Sequence, residues 1–148
     1  MKKFLLLGIG LLFAGCTQQS TNLSPTTVTQ KPAVQTASAT VGYINFEAQI
    51  ATDSDLKEFG IDKKGKENQT FVLLSLNNHQ QNLEDFNYQE RASLDGQPAN
   101  SWQILSNGMG GHHMSGLLTF PKNDNPKILS INGLPVGEAQ LFFGHSQS

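Results

Sequence analysis

Hydrophobic and polar positions alternate along this chain in short runs, and turn-forming residues separate the runs. The clearest run is Thr70-Phe71-Val72-Leu73-Leu74-Ser75-Leu76, in which Val72, Leu74 and Leu76 share one face under a period of two. Weaker runs of the same kind are Val41 to Ile50, with Tyr43, Ile44 and Phe46, and Ser101 to Leu105, with Trp102 and Ile104. Further along come Gly116 to Phe120, Lys127 to Ile131, and Ala139 to Phe143. Between them lie Lys64-Gly65-Lys66, Asp95-Gly96, Asn123-Asp124-Asn125-Pro126 and Asn132-Gly133, all turn chemistries. Asp55 to Gly60 has room for one helical turn, and no long helical period or internal repeat occurs. Short strands with frequent turns predict an all-β antiparallel sandwich of immunoglobulin-like type. A cupredoxin-like barrel is the alternative.

The first forty residues follow a different pattern. Lys2 and Lys3 precede an apolar run of ten residues, Phe4 to Phe13. A helix of that length covers about half of a ~30 Å hydrocarbon layer, so it reads as an export signal rather than a span. Leu12-Phe13-Ala14-Gly15-Cys16 resembles the bacterial lipobox, with Phe13 where that pattern favours Leu. The resemblance implies a signal peptide over 1–15 and a diacylglyceryl- and acyl-modified Cys16 as mature N-terminus. It implies a lipoprotein of the bacterial cell envelope, held to a membrane by its lipid. Thr17 follows the cysteine, and in a Gram-negative host the absence of Asp there favours the periplasmic face of the outer membrane.

Thr17 to Thr40 is polar and monotonous, with Lys31 its only charge. Such a stretch buries too little surface to offset its chain entropy, so residues 16–40 read as the lipidated cysteine and a tether. Val41 to Ser148 leaves 108 residues, enough for one small core. Cys16 is the only cysteine, so no internal disulfide supports that core. The formal charge is −2, and −4 without Lys2 and Lys3, with no basic run; this excludes a nucleic-acid partner of the usual electrostatic kind.

Candidate chemistry concentrates in Gly108-Met109-Gly110-Gly111-His112-His113-Met114-Ser115-Gly116. Imidazole and thioether are the uncharged side chains that bind soft or borderline transition metals. His79, just beyond the strongest strand, reaches the same pole if the two strands run antiparallel. His79, His112 and His113, assisted by Met109 or Met114, therefore form a candidate site for copper or zinc. Glu84 or Asp85 could supply a further oxygen. No H-E-x-x-H or paired C-x-x-C spacing accompanies them. The competing reading takes the histidines as hydrogen-bonded loop residues and the methionines as core filler. Ser115 lies two residues from His113, but no G-x-S-x-G elbow surrounds it, so no catalytic residues are assigned and a non-enzymatic role is expected.

Phe71 to His79, Leu83, Trp102 and Gly110-Gly111-His112-His113-Met114-Ser115-Gly116-Leu117-Leu118-Thr119-Phe120 together resemble an uncharacterised group of secreted prokaryotic β-sandwich domains. Those carry a strand ending in Thr-His, a tryptophan, and Gly-His-His-x-Ser-Gly before a strand. Here Asn78 stands for the Thr and Met114 for a commonly basic residue. The resemblance implies that His79, His112 and His113 belong to one constellation. The expectation is a lipid-anchored envelope binding protein that coordinates a metal. The alternative is an immunoglobulin-like adhesion or assembly module that contacts another envelope protein without one.

Overall fold

A computed structural model describes residues 34–108 and 112–144. Nine strands and two short helices follow in the order β1 (Thr36–Val41), β2 (Ile44–Ile50), α1 (Asp53–Glu58), β3 (Gln69–Asn77), α2 (Tyr88–Arg91), β4 (Ala92–Leu94), β5 (Gln97–Pro98), β6 (Ser101–Gly108), β7 (His113–Pro121), β8 (Ile128–Leu134) and β9 (Gly137–Phe142). They build two antiparallel sheets, one ordered β1-β2-β3-β7-β6 and the other β5-β4-β8-β9. The chain is an all-β sandwich, as the alternation predicts. Neither sheet closes on itself, so the barrel alternative is not realised. In the larger sheet β1, β2 and β3 are consecutive neighbours.

Period-two alternation decides what is buried. Ile44, Phe46 and Ala48 of β2, Val72, Leu74 and Leu76 of β3, and Met114, Leu118 and Phe120 of β7 line the inner face of the larger sheet. Ala92, Leu94, Leu129, Ile131, Ala139 and Leu141 complete the same cluster from the smaller sheet. The intervening residues of β3 and β7 are not wasted on solvent at one end. Phe71 and Leu117 point the other way and pack under Leu56 of α1, with Leu73, Leu105, Ala51 and Ile61 around them. Helix α1 starts where Thr52 and Asp55 form a reciprocal capping box, with the Thr52 amide donating to Asp55 at 2.7 Å and the Asp55 amide to Thr52 Oγ1 at 3.3 Å.

Two boundaries move. β1 occupies Thr36–Val41, most of which the sequence assigns to the tether. Its inward positions are Ala37, Ala39 and Val41, too small to stand out as a hydrophobic run, yet each pairs in register with β2. β7 begins at His113 rather than Gly116, so the histidine segment enters the sheet instead of preceding it. Residues 1–33, including Cys16 and the stretch expected to be an export signal, lie outside the described residues.

At the Asp95-Gly96 turn between β4 and β5, Asp95 has a φ of +49°. Its carboxylate accepts from the Ile128 amide at 2.9 Å, the Lys127 amide at 3.1 Å and Asn123 Nδ2 at 2.7 Å, fastening the β7–β8 connection to this hairpin.

Candidate functional site

The antiparallel register of β3 and β7 brings the histidines together. Asn77, the last residue of β3, pairs with His113, the first of β7; on the other side His113 pairs with Gly108 of β6. Successive strand side chains alternate faces, so His113 lies on the outer face while Met114 turns inward. Beyond Asn77 the chain turns sharply. The Asn78 amide donates to the His112 carbonyl at 2.8 Å, which extends the ladder by one bond. Asn78 Oδ1 then accepts from the amides of Gln80 at 3.1 Å and Gln81 at 2.8 Å. A side chain that caps its own following amides is a turn former in its own right. This turn carries His79 back over the sheet.

The His79 and His113 rings meet edge to face, with centroids 4.9 Å apart and planes at 69°. His79 is exposed and His113 partly buried. The turn is anchored from the opposite direction, because Tyr43, next to β2, donates its hydroxyl to Gln81 Oε1 at 2.5 Å. Asn78 is 1% exposed, and its Nδ2 has no hydrogen-bond partner among the described residues.

The remaining candidates divide cleanly. His112 is partly buried beside the pair and gives its carbonyl to Asn78, but no ring contact among the described residues involves it. Met114 is 2% exposed within the main core, which removes it from the candidate ligands: the strand's alternation points its thioether away from the histidines. Met109 and His145 lie outside the described residues. Glu84 and Asp85 are exposed, and no group of three His, Cys, Asp or Glu side chains among the described residues is placed to hold a metal ion.

Trp102 and Gly116 belong to this end for a packing reason that sequence reasoning missed. Trp102 stacks on Tyr88 at 4.8 Å between centroids, and its six-membered ring lies directly over Gly116. A Cβ on Gly116 would fall 2.1 Å from Trp102 Cη2. The glycine is therefore the floor of the tryptophan's seat.

What the arrangement can do chemically follows from its spacing. Imidazole nitrogens bind zinc at about 2.0–2.1 Å, so two rings on one ion at a bent angle stand about 5 Å apart between centroids, against about 6 Å for a linear pair. Edge-to-face ring pairs ordinarily lie about 4.5–7 Å apart, so the observed 4.9 Å is the spacing of a plain ring contact as well as of the bent case. Compared with protein-family models, with curated proteins and with solved structures, the chain matches none.

Proposed function

We propose that this chain is a lipid-anchored binding protein of the bacterial cell envelope whose outer pole takes a transition-metal ion through His79 and His113. The observation that carries the metal reading is the 4.9 Å ring pair, assembled by the Asn77–His113 register and the Asn78 turn. Anchorage rests on the lipobox-like Leu12–Cys16 segment and the polar stretch that follows it. A bent pair of imidazoles suits Zn(II) or Cu(II) and leaves coordination positions open. His112, partly buried next to His113 in the chain, is the candidate to fill one of them, while Met114 serves the core. An open site of this kind fits binding or hand-over of an ion better than a permanent structural role. The alternative, an adhesive module, needs a contiguous apolar surface. Among the described residues, the large apolar side chains that stand exposed are Val34, Phe59, Ile104 and Phe142.

The test is calorimetric titration of the purified full-length chain with Zn(II) and with Cu(II), beside His79→Ala/His113→Ala and Met114→Leu. The expected outcome is one ion per chain, abolished by the double histidine change and retained by Met114→Leu. Equal binding by the double variant would sink the proposal.

A further inference from the structure

The chain contains two Asn-Gly pairs, Asn107-Gly108 and Asn132-Gly133, and the fold treats them differently. Asn107 and Gly108 end β6 in regular register with β7, Asn107 opposite Met114 and Gly108 opposite His113. Asn132 and Gly133 lie in β8 where the register with β9 shifts between Ile131, opposite Ala139, and Leu134, opposite Gly137. Two residues of β8 therefore face the single residue Glu138 of β9, which is a bulge. Both bulged residues are exposed. Glu138 is itself engaged, its Oε1 accepting from Gln140 Nε2 at 3.0 Å. Gly133 cannot be exchanged. Its φ is +69°, which strains other residues, and a Cβ there would collide with Arg91 Nη1. The Arg91 guanidinium, at the end of α2, thus lies against the Gly133 backbone. Its Cζ is 5.1 Å from the Phe86 ring centroid, and among the described residues no carboxylate pairs with it.

We propose that Asn132 is a site of spontaneous deamidation, its side chain attacked by the Gly133 amide nitrogen, while the fold protects Asn107. The Gly133 nitrogen gives up its proton and bonds to Asn132 Cγ. The Cγ–Nδ2 bond breaks, and Nδ2 leaves as ammonia with that proton. The resulting cyclic imide adds water at either of its carbonyls and opens to an aspartyl or an isoaspartyl residue. Water is consumed, ammonia is released, and nothing is oxidised or reduced.

Two features of the fold select position 132. Attack requires the glycine nitrogen to swing toward the asparagine side chain, away from the extended ψ of a strand. At the bulge neither residue has a register partner to oppose that turn, whereas at Asn107 it opens the ladder to Met114 and His113. The second feature is charge. Negative charge develops on the Gly133 nitrogen and then on the oxygen of the attacked carbonyl, beside a guanidinium held by the Phe86 ring. A cation already in place where negative charge develops lowers the barrier. The product also sets a carboxylate in the residue adjoining Gly133, near Arg91.

The experiment incubates the purified full-length chain in detergent at mildly alkaline pH, folded and in urea, and follows both asparagines by peptide mapping with mass spectrometry. In the folded chain, amide loss at Asn132 is expected to run about tenfold or more ahead of Asn107, since reaction at Asn107 must first open paired backbone. In urea the two rates should converge, because the local chemistry is the same Asn-Gly pair. Arg91→Gln, shown folded by circular dichroism, should slow Asn132 about threefold or more and leave Asn107 unchanged. Equal rates in the folded chain, faster loss at Asn107, a difference that persists in urea, or a rate at Asn132 indifferent to Arg91→Gln each overturns the proposal.

Discussion

Gly116→Ala isolates the packing that holds the pole together. Gly116 is buried and its φ is not in the left-handed range, so alanine meets no backbone strain and the effect is purely steric. The new methyl carbon would lie 2.1 Å from Trp102 Cη2 and 2.5 Å from both Cζ2 and Cζ3. All three belong to a rigid ring, which cannot yield by bending one end. Trp102 must therefore shift as a unit, against its packing on Tyr88, whose ring centroid is 4.8 Å away. Overpacking of this kind costs about 1–3 kcal/mol. Replacing glycine in a strand returns roughly 0.4–1 kcal/mol through the unfolded chain. The net loss is then about 1–2 kcal/mol, or a fall in Tm of roughly 4–10 °C for a domain of this size. Trp102 is the only tryptophan, so its fluorescence reports the site during urea unfolding, with circular dichroism as the second probe. Combining Gly116→Ala with Trp102→Leu should cost less than the sum of the two singles, because the smaller side chain vacates the contested space. A Gly116→Ala protein as stable as the parent, or strictly additive losses, would refute the reasoning.

Asn78→Ala removes the one buried oxygen that accepts from the Gln80 and Gln81 amides and should cost about 1–3 kcal/mol, while metal affinity falls at least as clearly as stability, read by urea unfolding and titration of the same sample. Burial works against the ionised form of Asp95, but the Ile128 and Lys127 amides, Asn123 and the Lys127 charge outweigh it and hold this carboxyl below its ordinary range. Its contribution is therefore complete above the unfolded value near ~3.9 and lost as the pH falls through the lower folded value, so Asp95→Asn should flatten that acid limb. At neutral pH the same change should cost about 1 kcal/mol, since the carboxylate is largely exposed. Burial raises the Tyr88 phenol above its ordinary range, and its hydroxyl has no partner among the described residues. Tyr88→Phe should accordingly be neutral or slightly stabilising at pH 7, and should remove the loss of stability that sets in as the pH climbs above about 10.

The sandwich was readable wherever alternation was strong. Val72, Leu74 and Leu76 announced β3 and its inner face without ambiguity, and Asp95-Gly96 announced a hairpin turn. β1 was not readable because alanines at 37 and 39 bury little area, and β4, β5 and α2 are each four residues or fewer, below the length at which a period shows. The meeting of His79 with His113 was readable only as a possibility of topology, since it depends on the Asn77–His113 register, which no local pattern states. The same register sent Met114 into the core: once β7 begins at His113, its second residue must point inward. The sequence shows a glycine at position 116 but not its reason, because that reason, the Trp102 ring, comes from another strand.

The central claim is that His79 and His113 bind one ion together. X-ray absorption spectroscopy of the chain loaded with one equivalent of Zn(II) counts imidazole ligands through their multiple-scattering signature. The account predicts at least two imidazoles at about 2.0–2.1 Å, with the imidazole count falling in both His79→Ala and His113→Ala. A shell with one imidazole or none, or one unchanged by either substitution, would contradict it.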